Sequence, residues 1–191
     1  MTRRELFGAA AVAAGRVRAA SAPAQSAILL LSPDEAERMR AAFRKQPDRR
    51  VEKLAAAADN RGPWSVTFER PSGDLVKASP NDYYSEGPYW WPDPKNPKGP
   101  YIRRDGERNP DRFQANRKAL GDMSEAVLTL GMAAYLGNYS AAAAKAVTVL
   151  RTWFIDPKTR MNPNLEYGQA VRGHNTGRGT GIIDTVSLIH C

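Results

Sequence analysis

The residues best suited to chemistry in this 191-residue chain are an amide and a guanidinium three positions apart, Asn175 and Arg178. They lie in the stretch 173–181, whose four glycines let the backbone approach a ligand closely. A guanidinium can hold a carboxylate through two parallel hydrogen bonds, and an asparagine amide adds a neutral donor. The pair therefore offers a ligand one charged and one neutral hydrogen-bond donor. A tight connection between helices is the simpler interpretation if the stretch is considered alone.

A second chemical signal is the aromatic, proline-rich segment 81–110. It holds six of the sixteen aromatic side chains of the chain. Its prolines remove backbone donors and fix φ, which predicts a long, stiffened loop rather than a helix or an interior strand. Aromatic faces beside cationic side chains suit a flat, partly apolar, anionic ligand. A loop that plugs the end of a helical core is the alternative.

These segments need helices to position them, and the sequence predicts two short ones first. Ser32-Pro33-Asp34-Glu35 has the residue types of a helix start, and this helix is expected to end at Lys45. A second short helix is expected over 48–58. Between it and the aromatic segment, the alternation over 64–68 predicts an extended stretch and the composition of 71–74 predicts a turn.

The most regular pattern in the chain is a pair of amphipathic helices after the aromatic segment. Apolar residues recur every three or four positions over 116–136, and the pattern repeats over 139–154. Gly137 and Asn138, which tolerate left-handed geometry, separate the two helices. A connection this short predicts an antiparallel helical hairpin, and the four predicted helices together predict an all-α fold.

The first residues have the composition of an export signal. Arg3 and Arg4 precede a short alanine-rich stretch, which is typical of a twin-arginine signal peptide cleaved near Ala24. We therefore expect a bacterial protein that is periplasmic or secreted, with its mature domain over 25–191. A frayed, basic arm is the alternative interpretation. Loss of four arginines and one glutamate with residues 1–24 lowers the net charge from +8 to +5.

Charge and cysteine content exclude several classes of function. The excess of positive charge is compatible with a polyanionic partner, but no nucleic-acid-reading module is present and no nucleic acid partner is expected. No apolar run is long enough to span a bilayer, so no membrane association is expected after signal removal. The single cysteine, Cys191, rules out an internal disulfide. Two isolated histidines and one cysteine do not make a ligand set, so no metal or cofactor is predicted.

The last residues predict an incomplete fold. The stretch 181–189 is expected to open an apolar helix, yet the sequence stops two residues later at Cys191. A helix with no length to pack is a poor way to end a domain. We therefore expect the chain to be the N-terminal portion of a larger fold, as a fragment or through a shifted reading frame.

Four stretches together resemble the alginate-lyase-like family of polysaccharide lyases. They are SPNDYYSEGPYWWPDP, GPYIRRDGERNPD, RTWFIDPKTRMNPNLEYGQA and NTGRGTGIIDT, and the likeness covers residues 64–188. The resemblance implies an α/α toroid of inner and outer helices around a cleft, here incomplete and carrying the long aromatic loop. It also implies that the partner is an anionic polysaccharide of the alginate or glucuronan type, cleaved by β-elimination.

The resemblance also implies roles for individual side chains. Asn175 and Arg178 would neutralise the uronate carboxylate, which stabilises the charge that develops when the C5 proton is removed. The residues expected to line sugar subsites through stacking are Tyr83, Tyr84, Tyr89, Trp90 and Trp91. The candidates for polar subsite contacts are Asn164, Tyr167 and Gln169. Arg103 and Arg104 would either hold neighbouring uronates or stay solvated.

The family's proton-transfer residues are not among these matches. Its catalytic histidine, which follows an asparagine, and its catalytic tyrosine are expected beyond residue 191. His174 is beside Asn175, but the family pattern does not place the catalytic histidine there. The sequence therefore predicts an incomplete uronan lyase. The alternatives are a non-catalytic carbohydrate-binding remnant, a helical scaffold with a plugged lid, and a glycosidase, which would need two facing carboxylates.

Overall fold

The computed structural model of the protein describes residues 31–66 and 78–191. In chain order its elements are α1 (Pro33–Lys45), α2 (Arg49–Asp59), β1 (Tyr84–Glu86), β2 (Trp90–Trp91), β3 (Ile102–Arg103), α3 (Ala115–Gly137), α4 (Ser140–Phe154), β4 (Tyr167–Ala170) and a 3₁₀ helix (Gly179–His190). The predicted signal peptide over 1–24 and the predicted turn over 71–74 lie outside the described residues. The predominantly helical architecture is confirmed.

The two short N-terminal helices begin where local capping chemistry places them. The Ser32 side chain accepts a hydrogen bond from the Glu35 N–H, and the Glu35 carboxylate accepts one from the Ser32 N–H, which completes a capping box. Asp48 caps α2 by accepting from the Arg50 N–H at 2.9 Å. The predicted end of α1 at Lys45 is confirmed, and α2 lies one residue later than predicted.

Helix α3 is the centre of the fold, because α1, α2, α4 and the 3₁₀ helix all pack against it. Leu120, Met123 and Leu130 of α3 form one buried core with Trp153 of α4. Only two residues join α3 to α4, and the first, Asn138, has φ +56° as the chain reverses. The predicted helical hairpin is therefore confirmed within one residue at each end.

Short strands are the feature that the sequence did not predict. β1 pairs with β4 in parallel, and β2 pairs with β3 in antiparallel orientation, so there are two separate two-stranded sheets. All three residues of β1 are buried. The expectation that segment 81–110 is loop throughout is therefore wrong, because it contains β1, β2 and β3, each paired in a two-stranded sheet. The reason is that the prolines of this segment flank the strands without entering them.

The C-terminal segment is helical as expected, but it is a 3₁₀ helix. Asp184 is buried on its inner side, whereas Ile182, Ile183, Val186 and Ile189 are exposed on its outer side. The expected extended stretch over 64–68 is irregular over its described part, where Trp64 and Val66 join the core. No helix in the described ranges combines the length and apolarity that crossing a bilayer requires.

Candidate functional site

The candidate site forms around Gly87, where the end of β1 meets the end of β4. The Gly87 N–H donates to the Ala170 carbonyl at 2.9 Å. A Cβ atom on Gly87 would lie 2.8 Å from Nη2 of Arg178 and 3.0 Å from Cδ1 of Trp90. Arg178 and Trp90 therefore approach each other across a position that only glycine leaves open. The aromatic segment 81–110 and the glycine-rich stretch 173–181 meet here, although their first residues are 92 positions apart in the sequence.

The Arg178 guanidinium is oriented by one neighbour, Gln169. Its Nε donates to the Gln169 backbone oxygen and its Nη2 donates to Gln169 Oε1, both at 2.9 Å. Within the described part of the chain, Arg178 forms no ion pair with a carboxylate. Burial, and secondarily the charge of Arg103, lower the pKa of Arg178. Because both acceptors are neutral, the side chain is held in place while its positive charge stays available to a ligand.

Behind Arg178 lies a buried carboxylate, Asp184. Its Oδ2 accepts from the hydroxyls of Ser85 at 2.5 Å and Tyr83 at 3.1 Å. Its Oδ1 accepts from Gln169 Nε2 at 3.2 Å and lies 3.2 Å from Nε of Arg117. Asp184 therefore fixes the Gln169 amide, which in turn leaves Oε1 to hold Arg178. These contacts provide the buried Asp184 carboxylate with hydrogen-bond donors, and through Gln169 they fix the position of the Arg178 guanidinium.

The two tryptophans lie on opposite sides of the β2–β3 hairpin. The Trp90 ring lies against His174, with centroids 4.9 Å apart, on the side of Arg178. The Trp91 ring instead lies under the Arg104 guanidinium, and its Nε1 donates to the Glu107 carbonyl. Neighbouring residues of a strand point to opposite faces, so this division follows from the pairing itself. Trp90 alone shares a site with Arg178.

Asn175 and His174 lie on a turn beside this site. Asn175 is exposed, and its backbone N–H and carbonyl both bond to Val171. A cavity of about 240 Å³ is lined by Tyr84, by residues 170–173 and by 174–176, so it opens beside both side chains. His174 Nε2 is 2.7 Å from the Tyr101 carbonyl oxygen. Because that oxygen can only accept, a hydrogen bond here requires a hydrogen on Nε2.

Tyr83 and Tyr84 do not fit their predicted stacking role. Both rings are buried, and although Tyr84 lines the cavity beside Asn175, only 2% of this residue is exposed. The Tyr83 hydroxyl donates to Asp184, and the Tyr84 hydroxyl donates to Glu86 at 3.0 Å. Burial, reinforced by these carboxylates, raises the pKa of each phenol far above its usual range. The two side chains support the site from below and stay protonated.

The remaining predicted residues are spread over the surroundings of the site. Asn164 Nδ2 donates to Asp82 at 3.2 Å and Asn164 Oδ1 accepts from the Glu166 N–H, so this side chain stabilises a turn. Tyr167 begins β4 and is half-buried. Gln169 is buried and acts through Arg178 rather than at the surface. Tyr89 is half-buried, and its carbonyl accepts from the Arg104 N–H.

Sequence reasoning missed Asp184 and Ser85. Asp184 stands alone in an apolar run, and a buried acid requires hydrogen-bonded partners. The isolated position of Asp184 could therefore have predicted a buried, hydrogen-bonded carboxylate, whereas no feature of the sequence predicts the role of Ser85. The described ranges contain no group of three or more histidine, cysteine or acidic side chains that could hold a metal ion.

Comparisons with known proteins give a family for this chain. The family model for alginate lyases matches residues 70–191. A crystal structure of an alginate lyase from Bacteroides ovatus is similar, with 42% identity and a TM-score of 0.70. The match covers 81% of this chain but 43% of that protein, so the chain spans less than half the length of this relative. A comparison with curated proteins found no match. On the family model and the structural likeness together, the chain belongs to the alginate lyase family.

Proposed function

We propose that this protein is a polysaccharide lyase that cleaves a uronic-acid polymer of the alginate or glucuronan type by β-elimination. Membership of the alginate lyase family supports the reaction class. The observation that carries the proposal is the pairing of Arg178, whose charge has no carboxylate partner in the described residues, with the ring of Trp90. A flat, anionic sugar matches both surfaces.

The chemistry explains why an uncompensated arginine is useful. The C5 proton of a uronate is weakly acidic because the neighbouring carboxylate is already negative. A guanidinium held beside that carboxylate stabilises the additional charge of the enolate-like intermediate. Arg178 is positioned before the ligand arrives, so little side-chain entropy is lost on binding. Asn175, exposed on the adjacent turn, supplies a second, neutral donor in this proposal.

The described residues supply binding groups more clearly than proton-transfer groups. Tyr83 and Tyr84 are poor bases, because burial and adjacent carboxylates raise their pKa. Neither phenol therefore fits the role of the catalytic tyrosine that the family resemblance implies. This division favours a second candidate function, in which the 191-residue chain binds a uronan without cutting it.

One experiment separates the two candidates. The purified chain is incubated with alginate, glucuronan and a neutral polysaccharide, and the ultraviolet absorbance of the unsaturated uronate is followed. Absorbance with a uronan supports the lyase, and tryptophan quenching by the polymer without absorbance supports the binding protein. If neither absorbance nor quenching is seen with either uronan, both candidate functions are contradicted.

Export through the twin-arginine route is part of the same proposal, since a polymer substrate is met outside the cytoplasm. The support is the arginine pair and alanine-rich stretch of residues 1–24. Expression of the full chain in a bacterial host, followed by N-terminal sequencing of the periplasmic fraction, tests it. A mature N-terminus near residue 25 is expected, and protein retained uncleaved in the cytoplasm would contradict it.

A further inference from the structure

The exposed face of α1 is apolar at its centre and charged at its two ends. Five exposed residues at positions i, i+3, i+4, i+7 and i+10 share one side of this helix: Glu35, Arg38, Met39, Ala42 and Lys45. Met39, a large apolar side chain, is 40% exposed, whereas Ala36 is buried where α1 packs against α3. One side of α1 therefore joins the fold, and the other is a surface that the described residues leave uncovered.

The charges on α1 divide by sign between its two ends. Asp34 and Glu35 are in the first turn, and Arg44 and Lys45 are in the last. Arg44 is already paired with Glu37 of the same helix at 3.1 Å. Within the described residues, Lys45 forms no ion pair and Glu35 forms none with a cation. The face thus carries an unpaired negative charge at its start and an unpaired positive charge at its end.

A groove lies beside the apolar centre of this face. A cavity of about 670 Å³ is lined by Met39, Ala42 and Phe43 of α1, by residues 46–51, and by Leu136 of α3. Most of the α1 and α3 side chains in this lining are apolar. Because covering apolar surface is favourable, the centre of the face can stabilise a contact with a partner. A matching partner is apolar at its centre and has opposite charges at its ends.

A second copy of α1 fits this description when the two helices lie antiparallel. A two-fold axis then passes near Arg40, and Glu35 of each copy lies opposite Lys45 of the other, because both positions are five residues from Arg40. Met39 and Ala42 of both copies lie between the two ion pairs. The positive end of each helix dipole also meets the negative end of the other. A parallel arrangement would bring like charges together.

We propose that the exposed face of α1 is the interface of a homodimer, in which α1 of a second copy packs antiparallel on it and Met39 of each copy enters the groove of the other. The flexible thioether of methionine suits an irregular gap. The stretch from Glu35 to Lys45 is about 15 Å long, so the contact is small and the dimer is expected to be weak. Its ion pairs mainly select the orientation. No residue of the candidate site is in α1, so this inference is independent of the proposed function.

The test exchanges the charges at the two ends of α1. Sedimentation equilibrium over a wide range of protein concentration measures the dimer dissociation constant of the full chain. It is repeated for Glu35→Lys, for Lys45→Glu, for an equal mixture of these two variants, and for Met39→Lys. The control, Lys158→Glu, makes the same change of charge on an exposed turn after α4. Thermal melts followed by circular dichroism establish that each variant is folded.

The unmodified protein is expected to dimerise as its concentration rises. Glu35→Lys and Lys45→Glu should each weaken the dimer by about tenfold or more, because each creates two like-charge pairs. Their mixture should recover the dimer, since a pair formed from one copy of each variant again has opposite charges at both ends. Met39→Lys should abolish dimerisation, because it places two like charges at the centre, and Lys158→Glu should leave it unchanged.

Three results would overturn the proposal. The first is a monomer at every concentration, which would leave the face to a different partner. The second is a dimer that Met39→Lys and Lys45→Glu do not weaken, because its interface would lie elsewhere. The third is a mixture that dimerises no better than its two components. If Glu35→Lys does not fold, Glu35→Gln keeps the capping box, removes the charge, and is expected to weaken the dimer about two- to threefold.

Discussion

Gln169 holds Arg178 through two neutral oxygens, its own backbone carbonyl and its side-chain Oε1. Gln169 itself has φ +51°, a conformation that residues other than glycine rarely adopt. Strained backbone of this kind persists where the surrounding structure fixes it, and Asp184 and Ser85 both bond to Gln169. The result is an arginine that is rigid yet not neutralised.

Arg178→Gln is expected to weaken binding of an oligouronate by tenfold or more, because a charged hydrogen bond to a carboxylate is lost. Arg103→Gln is the matched control, since the Arg103 charge is already paired with Asp105 at 2.6 Å. Calorimetric titration of both variants checks this. Equal losses in the two variants would mean that general positive charge, and not the Arg178 site, binds the ligand.

Trp90 and Trp91 provide a test of which face of the hairpin meets the sugar. Trp90→Ala is expected to reduce oligouronate affinity about three- to tenfold, the range of a single aromatic contact. Trp91→Ala is expected to change it less than about twofold, because that ring contacts Arg104 and Glu107 on the opposite side. A larger loss in Trp91→Ala than in Trp90→Ala would place the binding groove on the other face.

Asp184→Asn is expected to destabilise the fold by about 3–5 kcal/mol, because the buried Gln169 amide and the partly exposed Arg117 guanidinium would face an amide in place of a carboxylate. Asp122→Asn is the control, since Asp122 pairs with the exposed Lys118, and a surface pair of this kind is worth less than about 1 kcal/mol. Urea unfolding of both variants gives the comparison. Similar midpoints would show that Asp184 does not stabilise the buried network.

Gly177 and Gly179 differ sharply in the space around them. A Cβ on Gly177 would overlap the carbonyl oxygen of Glu166, whereas nothing lies within 4 Å of one on Gly179. Gly177→Ala is therefore expected to cost about 1–3 kcal/mol and to displace Arg178. Gly179→Ala should be nearly neutral in stability. Thermal melts measure both, and a neutral Gly177→Ala would contradict the close approach of the two backbone segments.

The ionisation of Asp82 is expected to make the stability of the fold depend on pH. Burial raises its pKa, but hydrogen bonds from Asn162, Ser79 and Asn164 outweigh that effect and hold the pKa below its usual value. The folded state therefore gains stability from ionised Asp82 above the unfolded pKa of about 4, and loses it as pH falls through the lower folded value. The melting temperature of Asp82→Asn should lie below that of the unmodified protein at pH 6. The gap should narrow as pH falls below the unfolded pKa of about 4 and close once pH is below the lowered folded pKa; a constant gap would contradict the linkage.

The parts of the fold that local chemistry decides were predictable from the sequence. Ser32 and Glu35 mark the start of α1, and the apolar periodicity of α3 and α4 marks the hairpin. The β1–β4 pair was not predictable, because strands of three and four residues carry almost no periodic signal and their partners are more than eighty residues apart.

In the candidate site too, some features could be predicted from the sequence and others depend on tertiary structure. The sequence marked Arg178 as a charged donor in glycine-rich surroundings, and the family resemblance implied its role at a carboxylate. The burial of Tyr83 and Tyr84 depends on tertiary packing, because β1 passes beneath the site with its residues covered by β4 and α3. The Trp90 and Trp91 rings lie on opposite faces because β2 pairs with β3, and the proline-rich composition of the segment did not predict this pairing.

The parallel pairing of β1 with β4 has a consequence for the order in which the protein assembles. The α3–α4 hairpin lies between these strands and is held by contacts near in sequence, which form quickly. The strands close a much longer loop, so they are expected to join late and to separate early. The amides at the Gly87–Ala170 junction should thus exchange faster than those of the hairpin. Ligand binding is then expected to be lost while most of the helical circular dichroism remains.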